Sequence, residues 1–291
     1  MEWFRYVKAE SVPSPVTGVS DPRWRNILIV CDSEAGLGIV QGLTEFLPIS
    51  STGHLILVST LLEFKGKRAE AFEVFIQLGA ILAVVWEFRV RLWRVATGVV
   101  GGGESRAFGM KILLAFLPVA LVGGLVHDFI SERLFRPVPV AAALITGAIL
   151  IFVVERFHPP MRTHRAEEIS WGQALLIGVA QCFAMWPGFS RSAATILGGL
   201  GVGLDRRAAV EFSFFLAIPT MFAATTYSMI KNWSYLEPGD VLWLATAFVI
   251  SFVVAWASIR WLLHYVSSHS FSLFAWYRLA LGALVLLLLA R

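Results

Sequence analysis

The chain has 291 residues, 57% hydrophobic and 15% charged, with a mean hydropathy of +0.71, and these values exclude an ordinary soluble domain. Apolar runs near 20 residues fit helices crossing a bilayer rather than the short alternating strands of a barrel, so the expected fold is an all-α, polytopic membrane bundle. The formal net charge of +4 resides mainly in loop Lys and Arg, as is normal for membrane proteins, and no further feature supports a nucleic-acid partner.

Residues 1–26 carry Pro13, Pro15, Gly18, Pro22 and scattered charges without an apolar core, and read as a tail of no legible role. Residues 27–291 read as one membrane domain. Cys31 and Cys182 lie in apolar context and match no metal spacing. Six runs suit full spans: 72–88, 111–127, 138–155, 211–230, 241–263 and 271–290. Two further apolar regions, 27–62 and 171–203, are each interrupted by a proline, Pro48 or Pro187, followed by serines that can cap a new helix. The economical expectation is a pair of re-entrant helical hairpins, because broken backbone at membrane depth needs protein or a wet cavity around it. Arg89, Arg91, Arg94, Arg106 and Lys111 are read as one cytoplasmic loop, and Arg156, Arg162 and Arg165 as another, which makes the hairpins enter from opposite faces.

Sliding the chain on itself by 140 positions aligns Gly38 with Gly178, Gln41 with Gln181, Ser50 with Ser190, and Phe72 with Phe212. We read an inverted-topology repeat, the first copy over 27–158 and the second over 170–291, whose broken helices meet near the bilayer midplane.

The chemistry concentrates at the two breaks, QGLTEFLPISSTGHL at 41–55 and MWPGFSRSAATIL at 185–197. A charge at the bilayer centre costs about 2.5–3.5 kcal/mol on insertion scales, so Glu45, His54 and Arg191 are retained there for pairing or for work. Gln41 and Glu45 share one helix face. Ser50 and Ser51 can cap the helix that follows, and Thr52, Gly53 and His54 form its first turn, a helix N-terminus suited to an anion. Ser190 and Ser192 repeat the hydroxyls at the second break, and Arg191 adds a planar fork that matches phosphate. Converging, these groups describe a phosphoryl-transfer site: a clamp, an acid/base pair, and either Ser51 or a water activated by His54 as nucleophile. Glu45 can hold a divalent cation or orient His54, and Arg191 can instead simply neutralise Glu45. Glu73 and Gln77 stand near a span entry, where snorkelling explains them as well as function does. The Trp and Phe excess is assigned to interfacial belts and lipid-facing surface.

At these motifs the sequence resembles the undecaprenyl-diphosphate phosphatase family of the bacitracin-resistance type, a resemblance extending from about residue 27 to the end and including FEVFIQLGAILAVV from Phe72 and EFSFFLAIP from Glu211. The resemblance implies dephosphorylation of undecaprenyl diphosphate at the outer face of the plasma membrane, an interdigitated repeat, and a divalent-cation requirement, Mg²⁺ or Ca²⁺ with Glu45 as its protein ligand. It also implies membrane lipids as surroundings and a homodimer as an option. Carried over by position, the catalytic set is Glu45, Ser51, His54 and Arg191, with Ser50, Thr52, Gly53, Ser190 and Ser192 near the phosphates and Gln41, Glu73 and Gln77 in support. The family pattern allows Glu or Gln at position 41, and this chain has Gln41; Ala193 replaces a common glycine. The rival reading is a transporter or flippase of phosphorylated lipid or small anions, since broken helices in inverted repeats are transporter architecture.

Overall fold

The structure is a computed structural model that describes residues 35–61, 67–101, 103–232 and 238–289; the expectations for the tail and for Cys31 lie outside the described residues. It is all-helical, and its one β-type pairing among the described residues is an isolated bridge between Thr163 and Leu204. In chain order the helices are α1 (Ala35–Thr44), α2 (Ser51–Leu61), α3 (Lys67–Glu87), α4 (Arg89–Gly101), α5 (Glu104–Arg133) and α6 (Pro137–Phe157). The second half continues with α7 (Trp171–Gln181), α8 (Arg191–Gly201), α9 (Arg206–Asn232), α10 (Val241–Tyr265) and α11 (Ser272–Leu289).

Segments Glu104–Val126, Pro137–Phe157, Arg206–Lys231 and Val241–Tyr265 are long and apolar enough to cross a membrane, and α3 with α4 makes a fifth candidate bent by 77°. The sixth expected span, α11, has 18 residues, about 27 Å of helix. The protein is therefore a multi-pass membrane protein. One expectation needs correction: Arg89 to Lys111 is not a loop. Residues 89–101 form α4, and α5 starts at Glu104. The basic residues that suggested a loop alternate with Val90, Leu92, Trp93 and Val95. Arg91 turns inward, bonding Glu167 and, at 2.7 Å, Glu211.

Helices α2, α7 and α8 have 11 residues each, about 16 Å, or half a bilayer. The breaks that shorten them are built alike. Ser50 and Ser190 both take left-handed backbone, φ 72° and 79°, unusual for a residue with a Cβ. Each then caps the helix that follows: Ser50 Oγ accepts from Gly53 N–H at 3.3 Å, and Ser190 Oγ from Ala193 N–H at 3.2 Å. Upstream of the second break, α7 opens on a capping box between Ser170 and Gln173 and runs into a 3₁₀ turn at Cys182–Met185.

Order of elements recurs along the chain: α1, α2, α3, α5, α6, then α7, α8, α9, α10, α11, with α4 the member that has no counterpart among the described residues. The two series interlock. A Cβ on Gly38 of α1 would lie 2.7 Å from Ala247 O of α10, and one on Gly178 of α7 would collide with Ala115 O of α5. Each broken unit thus lies backbone to backbone against a long helix of the other series, a contact only a small residue permits. Helix α6 pairs with α11, and α3 packs on both α9 and α10.

Phenylalanines fill the centre. Phe46, Phe108, Phe212, Phe214, Phe215 and Phe271 are fully buried, with Phe46 edge-on to Phe214 at 5.4 Å and Phe108 edge-on to Phe215 at 5.1 Å. This corrects the assignment of the Phe excess to lipid-facing surface: six of these rings are core, where their area stabilises packing that lipid exposure would leave unused. Several tryptophans, Trp93 and Trp276 among them, do face outward.

Candidate active site

The two breaks face one cavity of about 200 Å³. From the first break Glu45, Ser50, Ser51 and Thr52 line it; from the second, Gln181, Met185, Gly188, Ser190 and Arg191; Gln77 of α3 and Thr220 and Met221 of α9 complete the polar and sulfur lining.

Glu45 stands one turn beyond Gln41 because Glu45 N–H still bonds Gln41 O at 3.0 Å, so α1 delivers both side chains to the same side. Its carboxylate is 6% exposed and fully engaged. Oε2 accepts from Gln41 Nε2 at 3.0 Å and from Ser51 Oγ at 2.8 Å; Oε1 faces Arg191 Nη2 at 3.4 Å. The last contact joins residues 146 apart in sequence and unites the two breaks in one site. Arg191 also donates through Nη1 to Ser213 O at 3.2 Å, and its guanidinium lies 5.7 Å from the centre of the Phe46 ring. Because Ser213 Oγ sits 2.6 Å from Thr195 Oγ1, α8 and α9 jointly fix the arginine.

Other residues singled out from the sequence fall elsewhere. His54 points away from Ser51: Nδ1 lies 2.7 Å from Ser50 O and Nε2 2.6 Å from Tyr277 Oη of α11. A carbonyl can only accept, so Nδ1 donates to Ser50 O, and Nε2 shares its hydrogen bond with the tyrosine hydroxyl. The proton of Ser51 therefore has Glu45 rather than His54 as its acceptor. Ser192 bonds Leu47 O at 2.8 Å and Ser190 Oγ at 2.9 Å, tying one break to the other from beneath the cavity. Gly53 is turned to Leu144, and Glu73 receives Ser59 Oγ at 2.8 Å; neither lines the cavity, whereas Gln77 does.

Three residues escaped the sequence reading. Arg278 of α11 is 0% exposed and donates to four carbonyls, each at 3.2 Å: Leu144, Ala143, Pro48 and Gly188. Pro48 and Gly188 occupy matching places in the two breaks, 140 positions apart, so one guanidinium holds both. Gly147 makes the room, since any Cβ there would meet the guanidinium. A lone Arg within the run 271–290 was the available signal. Tyr277, beside it, orients His54. Gln181 is 0% exposed, and its Nε2 has no partner; Arg191 Nε is the other buried side-chain donor left over among the described residues.

Among the described residues no three His, Cys, Asp or Glu side chains gather as a metal cage. Glu45 is the one carboxylate among the cavity-lining residues, and hydroxyls and amides surround it. That donor set is all oxygen on the coordinating side and fits a hard cation such as Mg²⁺ or Ca²⁺ completed by phosphate oxygens of a ligand.

Comparison with known proteins agrees with this geometry. A family model described as "Bacitracin resistance protein BacA" matches residues 34–284, which include both breaks and Arg278. The chain is 53% identical over 251 residues to a protein of Nitrosospira multiformis named undecaprenyl-diphosphatase, covering 86% of this chain and 92% of that one. Proteins of the same name from Laribacter hongkongensis and Azotobacter vinelandii are 49% and 50% identical, each over 86% of this chain and 92% and 91% of theirs. With the match spanning nearly the whole membrane domain and both broken helices, the chain belongs to the bacitracin resistance protein BacA family.

Proposed function

We infer that the protein hydrolyses undecaprenyl diphosphate to undecaprenyl phosphate and inorganic phosphate, returning the carrier lipid to cell-wall synthesis and conferring bacitracin resistance. The observation that carries this is the Ser51 Oγ to Glu45 Oε2 contact of 2.8 Å beside Arg191, a nucleophile, base and cation within one buried cavity. Family membership and the names of the relatives support the substrate. A transporter has use for Arg191 but none for a serine held against a carboxylate.

Ser51 Oγ attacks the terminal phosphorus as Glu45 takes its proton. The anhydride P–O bond breaks, and undecaprenyl phosphate leaves as the dianion. Water then attacks the phosphoserine as Glu45 returns its proton to the departing Ser51 Oγ; both hydrogens of the water leave on inorganic phosphate, and the Ser51 hydroxyl and the Glu45 carboxylate are restored. Arg191, paired with Glu45 in the resting site, follows the negative charge onto the equatorial oxygens, while the N-terminus of α2 offers the N–H groups of its first turn. Glu45 would hold a divalent cation together with substrate phosphate oxygens, and the cation would supply charge neutralisation there. His54 acts as a positioning residue, fixing the first turn of α2 between Ser50 and α11.

The bacterial plasma membrane is the proposed location, with the cavity on its outer side. Support comes from α9, whose cavity-lining Thr220 and Met221 sit in the half remote from Arg206 and the basic loop at 156–165. On this reading the two broken units enter as re-entrant hairpins from opposite faces. Purified protein in detergent with Mg²⁺ or Ca²⁺ should release phosphate from a polyprenyl diphosphate, and quenched turnover should trap a phosphoryl group on Ser51. Absence of phosphate release from wild type sinks the enzyme reading; substantial turnover by Ser51→Ala sinks the serine route in favour of water.

A further inference from the structure

The repeat explains why Gln181 Nε2 lacks an acceptor. In the first half, Gln41 Nε2 donates one turn along to Glu45 Oε2 at 3.0 Å. Position 185, where the offset of 140 would place the second carboxylate, is Met185. Gln181 therefore keeps the glutamine of the first half without its acceptor. It is 0% exposed, lines the same cavity, and leaves Nε2 unbonded, while its Oε1 lies 3.4 Å from Thr220 Oγ1. Thr220 spends its single proton on Leu216 O at 2.8 Å. Arg191 Nε is unbonded as well and belongs to the same wall. A buried donor without an acceptor is costly to keep, and two sharing one cavity describe a place prepared for an anionic oxygen.

We propose that Gln181 Nε2 and Arg191 Nε bind the phosphate group that is not transferred, making Gln181 a binding residue for the phosphate that stays on the lipid. This rests on the phosphatase reading. Chemistry at Ser51 and Glu45 engages the terminal phosphate, and the α2 N-terminus lies on that side. The second phosphate of a diphosphate carries its own charge and, being retained by the lipid, needs acceptor-free donors that the first break does not offer. The second break, stripped of its carboxylate at Met185, offers them without repulsion.

The test uses Gln181→Met, which keeps length and removes both amide atoms, and Gln181→Glu, which keeps the shape and puts an oxygen where Nε2 stands. Calorimetry on the purified proteins would measure binding of farnesyl monophosphate, a farnesyl methylenediphosphonate that cannot be hydrolysed, and inorganic phosphate. Phosphate release from a polyprenyl diphosphate is followed in parallel. Gln181→Met should weaken both prenyl ligands about tenfold and inorganic phosphate, which can occupy the terminal position, by less than about twofold. Gln181→Glu should weaken the prenyl ligands further, and in turnover the loss should fall mainly on KM. Equal weakening of all three ligands by Gln181→Met, or no weakening, overturns the assignment. Unchanged or tighter binding by Gln181→Glu also overturns it, because the amide oxygen would then face the ligand. Calorimetry does not depend on turnover, so a wild type that binds the analogue yet releases no phosphate defeats the phosphatase reading separately.

Discussion

The break after α1 and the break after α7 share a backbone and differ in nearly every functional side chain. Both turn through a serine in left-handed conformation, Ser50 and Ser190, and both present a carbonyl to Arg278. Yet at matching positions the first carries Glu45, Ser51 and His54, and the second Met185, Arg191 and Ala194. On the proposed mechanism one half is the reactive side, with nucleophile and base, and the other the donor side, with a cation and spare N–H groups. The strained serines are common to both because they build the turn; the differing residues divide the labour.

The sharpest way to break that division is at its two poles. We expect Glu45→Ala and Arg191→Ala each to lower kcat for polyprenyl diphosphate on the order of 10³-fold, the scale of losing a general base or a transition-state donor. Phosphate release from the folded variants checks this, and activity within tenfold of wild type would remove either residue from its role. The shared scaffold is tested next. Arg278→Met leaves four carbonyls without their donor, and we expect a loss of about 3 kcal/mol in stability, read as a lower melting temperature in detergent, with turnover falling as the breaks separate. Wild-type melting would show that the two breaks hold without it.

Interlocking of the series is probed by Gly38→Ala and Gly178→Ala, which thrust a methyl at backbone carbonyls. Each should destabilise by about 1–3 kcal/mol, the second more because its contact is closer. Equal melting of both variants and wild type would mean the helices separate freely. The smallest effect is expected of Tyr277→Phe, which removes the hydroxyl bonded to His54 Nε2. Turnover should fall by less than about tenfold, consistent with a hydrogen bond worth about 1 kcal/mol. A loss as large as that of Glu45→Ala would return His54 to the proton-transfer step.

Much of this comparison was legible in the sequence, for identifiable reasons. Glu45 and Arg191 stood out because charge in an apolar run is costly, and Ser50 and Ser190 because each follows a proline, Pro48 or Pro187, and they stand 140 positions apart. The fold class followed from run length and hydropathy. Arg278 was missed because its partners are backbone carbonyls, which carry no side-chain signature and which only the broken helices set free. Assigning His54 as base of Ser51 failed on direction: both sit in the first turn of α2, but the ring folds back on Ser50 O and outward to α11. Helix α4 was hidden by its arginines, since a count of basic residues cannot distinguish a solvated loop from a helix whose half-buried Arg91 pairs with Glu167 and Glu211.

Arg278 also sets an order of events during synthesis. It lies in α11, which leaves the ribosome after both broken units; they precede it by at least 77 residues, counted from Gly201 to Arg278. Until α11 inserts, the carbonyls of Pro48 and Gly188 have no common donor, and the two halves meet through Glu45 with Arg191 and Ser192 with Leu47 O. A chain halted before α11 would hold every lining side chain of the cavity and still lack the guanidinium that ties the two turns backbone to backbone.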